Sequence, residues 1–404
     1  VKIDLEQLIR ALSDTVDLVG VDEVQHSKRV AYMALVCAQT MGLAKQETTE
    51  LYRLGLLHDC GVSSTKVHRQ LIDELDWRDS STHCLIGAQR LRQFLPLAPM
   101  AEVILHHHTR WEDLEKYSLS QETQKKANLI YLLDRVDALS SLQHQPNKLA
   151  GKDVVCDKVV DLRNSYFNRE LVDVFLAAAG NEAFWIAMEP FQLVDFLNEH
   201  QPESDLIDLN ADELRSAAAL FAQVVDAKSS FTAEHSCGVA MLSRYLAERL
   251  SLNELLCYRI EVAGLLHDLG KLQIPDALLG RKGALNREEL AVMRHHSYVT
   301  YQILNKIQGL EDITLWAAYH HEKLDGSGYP FRKIAQDLSL ESRLVIVADI
   351  FQALAQERPY RPSLSLNVII DFLRTGSKSG KLDSEVVKLV ESESAKCYQI
   401  ATAS

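Results

Sequence analysis

The chain has no apolar run near the ~18 residues that suggest a membrane span. No signal peptide is visible, although the sequence starts at Val1 rather than at a methionine. Excess positive charge is missing too: 43 Lys and Arg stand against 56 Asp and Glu, a net charge of −13. That excludes a non-specific DNA or RNA binder. An anionic substrate would need a local basic pocket, because the overall field repels it. The seven cysteines are scattered, with no Cys-x-x-Cys pair, and read as reduced, mostly buried thiols of a cytoplasmic protein. No series of alternating strand patterns bounded by Gly/Asn hairpins occurs. With 25% charged and 47% hydrophobic residues, the chain is not disordered. Its 404 residues allow two or three domains, each with its own core.

What is present is helical spacing. Leu5, Leu8, Ile9 and Leu12 recur on one face, as do Leu214, Ala217, Ala218 and Phe221. The reading is all-α. A long internal repeat organises it. Val16-Asp17, His26-Ser27 and Leu56-Leu57-His58-Asp59 return 209 residues later as Val225-Asp226, His235-Ser236 and Leu265-Leu266-His267-Asp268. His83 and His107-His108 return as His296 and His320-His321 at an offset of 213, and Asp134 returns as Asp349 at 215. The stretch from Phe167 to Val172 resembles that from Leu382 to Val387, also at 215. Ordered matches with a small drift are what loop insertions in a duplicated domain produce. The polar Gln201-Pro202-Glu203-Ser204-Asp205 reads as the linker, giving domains 1–200 and 201–404.

The most informative stretch is His320-His321-Glu322-Lys323-Leu324-Asp325-Gly326-Ser327-Gly328-Tyr329-Pro330. Its adjacent imidazoles lie too close to face apart on a helix. Its Gly/Pro turn stops the helix and brings backbone to a pocket rim. A lone histidine is usually solvated or satisfied, and two in a row are weak evidence. The second copy, however, offers His235, His267, Asp268, His296, His320, His321 and Asp349, each in a separate helical context. Helices of an α bundle can aim such side chains at one site. Seven donors exceed the needs of one tetrahedral ion and suit a pair.

His267-Asp268 with the spaced His and Asp residues resembles the HD superfamily of metal-dependent phosphohydrolases. His320-His321-Glu322, Asp325-Gly326 and Gly328-Tyr329-Pro330 resemble the signature of its HD-GYP branch. So do Val225-Asp226-Ala227-Lys228, Thr232 and Arg358-Pro359-Tyr360-Arg361, over roughly residues 211–390. The resemblance implies an all-α fold of two tandem HD-type domains. It implies a phosphodiesterase acting on a cyclic-dinucleotide second messenger, cyclic di-GMP or 3′3′-cyclic GMP-AMP. A water activated between two divalent transition-metal ions would give a linear dinucleotide. Iron or manganese is expected first, and nickel or zinc suits the same donors. The charge balance and the lack of an apolar span point away from a nucleic-acid polymer or membrane partner, and a homodimer stays open.

Carried over by position, the implied metal ligands are His235, His267, Asp268, His296, His320, His321 and Asp349. Asp268 would bridge the ions, and Lys271 would meet a phosphate oxygen. Arg358 and Arg361 would hold the nucleotide phosphates, with Gly328, Tyr329 and Pro330 at the substrate rim. Phe231 stands where some members carry a glutamate for a third ion, so two ions are expected. Ser297 and Gln352 replace the usual Pro and Asp.

In the first copy, Asp22, His26, His58, Asp59, His83, His107, His108 and Asp134 repeat the order and form a candidate second metal site. Val62 holds the lysine position, Thr109 stands for Glu322, and no Gly-Tyr-Pro follows His108. A regulatory role is expected there. Two other readings stay open for the chain: a non-enzymatic cyclic-dinucleotide sensor, and an HD nucleotidase acting on mononucleotides.

Overall fold

The computed structural model describes residues 1–19, 25–62, 70–71, 80–142, 147–228, 230–281, 283–357 and 362–403, without the side chains of residues 142 and 230–233. Nearly all of its regular structure is helical. The exception among the described residues is a two-stranded antiparallel sheet, Lys2–Asp4 against Leu206–Asp208, with Ile3 opposite Ile207. No helix among the described residues is long and apolar enough to cross a membrane. The seven cysteines are free thiols; five are buried and Cys237 is exposed.

The chain forms two compact units: Leu8–Asp205, and Leu206–Ser404 together with Val1–Gln7. Val1–Gln7 thus groups with the C-terminal unit, whereas the boundary of 1–200 and 201–404 read from the sequence places it with the first domain. Ile3 is fully buried. The Val1 ammonium donates to the Leu209 carbonyl at 2.7 Å, and the Gln7 side chain accepts from the Gln308 N–H at 2.7 Å. A strand this short carries too little periodic pattern to be read from sequence.

Both units are built on the same helix contact. In the N-terminal unit, His26–Thr40 packs on Lys45–Leu57. A Cβ on Gly55 would come 2.5 Å from the Ala31 Cα. In the C-terminal unit, Ser230–Arg249 packs on Glu254–Leu266, and a Cβ on Gly264 would lie 2.9 Å from the Ala240 Cα. Both residues of this pair keep the 209 offset. A second close approach is repeated as well: a Cβ on Gly61 or on Gly270 would collide with the carbonyl of His83 or His296. The missing side chain lets the turn after each His-Asp pair lie against the backbone of the next histidine.

Polar caps set where the C-terminal helices start. Asn253 accepts from the Leu256 N–H at 2.9 Å and opens Glu254–Leu266, which delivers His267 at its far end. Asn286 and Glu289 form a reciprocal capping box at the start of Arg287–Leu304, which carries His296. Ser339 caps Leu340–Ala355, the helix of Asp349 and Gln352. Glu311–Ala318 ends just before His320-His321. Phe221, Ile260, Leu344 and Phe351 fill the core between these helices.

Gly264→Val should destabilise the C-terminal unit by about 1–3 kcal/mol, the usual cost of overpacking a tight contact. An earlier urea transition is the expected readout. An unshifted transition would mean that the two helix backbones do not touch at Gly264.

Candidate metal centre

Four of the five candidate ligand histidines, His235, His267, His296 and His320, are oriented by a fixed acceptor. The Nδ1 atoms of His267, His296 and His320 donate to the carbonyl three residues earlier, at Gly264 (2.7 Å), Met293 (2.6 Å) and Ala317 (2.7 Å). His235 directs Nδ1 at Oε1 of Gln352, 2.5 Å away. With the proton on Nδ1, each Nε2 is left with a lone pair. Those lone pairs converge: Nε2 of His235 and His267 are 3.3 Å apart, and Nε2 of His296 and His320 are 3.1 Å apart. As neutral rings, neither partner has a proton to give, although the Ser297 hydroxyl lies 3.2 Å from His296 Nε2. Each contact sets acceptor against acceptor in a buried place, which costs free energy unless a cation joins them. This donor set fits metal ions.

Asp268 connects the two pairs. Its Oδ2 lies 3.2 Å from His267 Nε2 and 3.7 Å from His235 Nε2. Its Oδ1 lies 3.6 Å from His296 Nε2 and 3.9 Å from His320 Nε2. Asp349 closes the far side, 3.1 Å from His235 Nε2 and 3.7 Å from His321 Nδ1. His235, His267 and Asp268 form one group, and His296, His320 and His321 another, each with ligand atoms within 4.8 Å of one another. Burial pushes the Asp268 carboxyl up, but His267 and Lys271 outweigh it and hold it well below the usual range. Burial holds His296 down at about 4 and His320 well below its ordinary value. Burial also opposes charge on His267, yet the adjacent Asp268 raises it. Ionised carboxylates among mostly neutral imidazoles are the state a divalent cation requires.

A cavity of about 1220 Å³ opens over this cluster, with Lys228, Lys271, Lys323, Lys381 and Tyr329 in its walls. Lys271 Nζ sits 2.5 Å from Asp268 Oδ2, so its ammonium faces a ligand carboxylate at the edge of the cavity. Of the three rim residues expected from the sequence, Tyr329 lines the cavity, its ring centroid 4.8 Å from that of His321. Gly328 and Pro330 are not among the described wall residues and shape the loop behind it. A Cβ on Gly328 would strike the Glu322 backbone. The buried Glu322 carboxylate accepts from the N–H groups of Phe331 (2.7 Å) and Lys333 (3.0 Å), tying the loop down. Arg358, Arg361 and Asp22 lie outside the described residues, as do the side chains of Phe231 and Thr232.

The N-terminal unit repeats the arrangement. His58 and His107 donate from Nδ1 to the Gly55 and Ile104 carbonyls at 2.8 and 2.6 Å. Nε2 of His26 faces that of His58 at 3.2 Å, and Nε2 of His83 faces that of His107 at 3.2 Å. Asp59 reaches His58 at 3.5 Å and His83 at 3.4 Å, while Asp134 lies 3.3 Å from both His26 and His108. One difference is that His83 Nδ1 is buried without a hydrogen-bond partner among the described residues. Another is that Cys84, at the Ser297 position, places Sγ 3.7 Å from the His83 Nε2.

Sequence reasoning missed the groups that orient the first histidines. Gln352 reads there as a departure near the arginine loop, yet it is the partner of His235. Its counterpart at the 215 offset is Asp137, which accepts from His26 Nδ1 at 2.7 Å. Arg29 clamps Asp137 at 2.6 and 2.8 Å. The counterpart of Arg29 is Gly238, where a Cβ would come 2.6 Å from Gln352 Nε2. The paired change, Arg29 with Asp137 against Gly238 with Gln352, is visible when the repeat is laid on itself. Buried Arg135 was also missed. It grips both oxygens of Asp134, at 3.0 and 3.2 Å, where the C-terminal unit has Ile350 in the cavity wall.

Two segments match the HD domain family, residues 219–386 and residues 24–139. The 3′3′-cGAMP-specific phosphodiesterase 1 of Vibrio cholerae is 36% identical, across 99% of this chain and 94% of its own length. The cyclic di-GMP phosphodiesterase response regulator RpfG of Xanthomonas campestris pv. campestris is 34% identical over 39% of this chain and 43% of its own. The crystal structure of a cyclic GMP-AMP-specific phosphodiesterase of V. cholerae, V-cGAP3, shares the fold at 21% identity, with a TM-score of 0.65 over 98% of both chains. The chain belongs to the HD-GYP family of cyclic-dinucleotide phosphodiesterases, with an additional HD domain ahead of the HD-GYP domain.

Proposed function

We propose that the C-terminal unit hydrolyses 3′3′-cyclic GMP-AMP to a linear dinucleotide. Two divalent ions, iron or manganese, would be held by His235, His267, Asp268, His296, His320, His321 and Asp349. The observation that carries this reading is the two converging imidazole pairs joined by one carboxylate beneath a cavity. The substrate follows the V. cholerae relative that spans nearly the whole chain. Cyclic di-GMP is the second reading, favoured by the Xanthomonas relative.

When bound, two such ions supply Lewis acidity toward phosphate oxygens and an activated water. The chain's own residues do the rest. Gln352 and the three backbone carbonyls keep the Nε2 atoms free of protons. Lys271 leaves Asp268 for a phosphate oxygen and offsets the charge that grows on the departing 3′ oxygen. Lys323 and Lys381 supply local positive charge that the acidic chain lacks overall. Arg358 and Arg361 would add fixed charge for the second phosphate. Water adds to phosphorus, the P–O3′ bond breaks, and the 3′ oxygen takes a proton. The product carries one 5′-phosphate and one free 3′-hydroxyl.

The N-terminal unit regulates rather than hydrolyses, in this reading. Its lysine position is the fully buried Val62, and its ligand carboxylate Asp134 is already held by Arg135. His26, His58, Asp59, His83, His107, His108 and Asp134 would still take a metal, whose presence biases the packing of that unit.

Chromatography of products from metal-loaded protein should show linear dinucleotide from 3′3′-cyclic GMP-AMP and no product from a mononucleotide panel. The reverse pattern would support a nucleotidase instead. Asp268→Ala should abolish turnover and strip the C-terminal ions. Lys271→Ala should lower kcat by roughly 10²–10³-fold with metal content intact, and normal turnover in that variant would refute its role.

Gln352→Leu removes the acceptor for His235 Nδ1. Metal affinity in a chelator competition should fall about 10–100-fold. An unchanged affinity would show that Gln352 does not set that tautomer.

Asp59→Ala in the full chain should shift the rate or the melting temperature without ending catalysis. Complete loss of activity while the C-terminal ions stay bound would overturn the regulatory assignment.

A further inference from the structure

The cavity has a second wall that the chemistry at phosphorus does not use. The helix Leu366–Lys378 turns Ile369, Ile370 and Leu373 into the core. It presents Val368, Asp371, Phe372 and Thr375 to the cavity. That spacing is one face of an α-helix. Val368 is 50% exposed and Phe372 53% exposed. The helix therefore leaves an aromatic ring and a branched aliphatic side chain open, inside the same cavity that holds the metal ligands.

Asp371 is the unexpected residue on this face. A cavity built for a phosphodiester gains nothing from a spare carboxylate, because like charges repel. The other acids in its wall are committed. Asp268 and Asp349 face imidazoles, Glu322 holds backbone amides, and Asp276 lies 3.4 Å from the Lys228 ammonium. Asp371 has an Arg374 nitrogen at 3.3 Å, but both side chains are exposed and Arg374 also serves Glu391 at 2.9 Å. Such a pair holds a carboxylate weakly. A substrate with two phosphates can satisfy Asp371 through ribose 2′-hydroxyls or base N–H groups, and two adjacent N–H donors matching both carboxylate oxygens occur on the pairing edge of guanine.

We propose that this wall reads a guanine: Phe372 stacks on the base while Asp371 accepts from its N1–H and its 2-amino group. Aromatic stacking with hydrogen bonds to the pairing edge is how unpaired bases are recognised. Adenine cannot replace guanine here, since its N1 is an acceptor that would face the carboxylate. A guanine requirement of this kind admits cyclic di-GMP and 3′3′-cyclic GMP-AMP and disfavours cyclic di-AMP. The assignment rests on the cyclic-dinucleotide reading given above.

The test compares full-length, metal-loaded wild type with Asp371→Asn and Phe372→Ala. The substrates are 3′3′-cyclic GMP-AMP, cyclic di-GMP, cyclic di-AMP and bis(p-nitrophenyl) phosphate, a diester with no base edge. For Asp371→Asn, KM should rise roughly 5- to 150-fold for both guanine-containing substrates, the range of a good two-pronged base contact. The effect should fall on KM rather than kcat, spare the simple diester and narrow the margin over cyclic di-AMP. For Phe372→Ala, KM should rise for all three cyclic dinucleotides, because every base has a face to stack. Asp371→Asn with an unchanged KM, or with equal losses on cyclic di-AMP, would overturn this proposal alone. Wild type that cleaves the simple diester but no cyclic dinucleotide would overturn the substrate reading, and this proposal with it.

Discussion

The contact on which this structure turns is an unfavourable one. In each unit two pairs of imidazole Nε2 atoms face each other at 3.1–3.3 Å. For His235 with His267 and His296 with His320, the one proton of each neutral ring is committed elsewhere. In His26 burial opposes charge, but hydrogen bonds to Asp134 and Asp137 push its pKa up to about 10. In water each lone pair would find a donor, but these rings are buried. The fold must therefore hold them in place by other means. The carbonyl three residues back fixes the ring plane of five of these histidines. The glycines that follow each His-Asp pair allow the ligand turn to lie on the next helix. The caps at Asn253, Asn286 and Ser339 set the helix starts from which those positions are counted.

Around that shared frame the two units divide the positive charge differently. The N-terminal unit buries Arg29 on Asp137 and Arg135 on Asp134, so two of its carboxylates are neutralised from within. The C-terminal unit has Gly238, Gln352 and Ile350 at these places. Its nearby cation is Lys271, whose side chain is 18% exposed and reaches Asp268 from the cavity edge. A buried guanidinium with two hydrogen bonds to its partner cannot leave without stranding a charge. A partly exposed ammonium on a flexible stem can exchange a carboxylate for a phosphate. The difference explains how a chain of net charge −13 can present one site to an anion.

The helical faces, the duplication and the residues gathered at each cluster were legible in the sequence, because they depend on local periodicity and on side-chain identity at spaced positions. Four things were not. The pairing of Lys2–Asp4 with Leu206–Asp208 joins segments about 200 residues apart through strands too short to carry a pattern. Nothing in the sequence singles out Arg29 and Arg135, since charged side chains are rarely buried unless paired and their partners are set only by the fold. Gln352 could be named as a departure but not given a task, because its task is defined by the ring of His235 on another helix. Likewise Gly328 and Pro330 belong to the loop that Glu322 pins, a distinction that depends on which side of the loop faces the cavity.

These features also bear on what the ions do for the protein itself. A cation that binds the folded cluster and not the unfolded chain stabilises the fold by mass action. In the C-terminal unit it would also relieve acceptor-against-acceptor contacts that no internal arginine touches. In the N-terminal unit, Arg29 and Arg135 already lower the electrostatic cost of gathering Asp59, Asp134 and Asp137. The same ligand order thus serves two ends. One copy can keep its core organised with less help from metal, which suits a scaffold. The other would leave its charge balance incomplete until ions and then phosphate arrived, so that the deficit burdening the folded state would also give the proposed site its affinity for an anionic substrate.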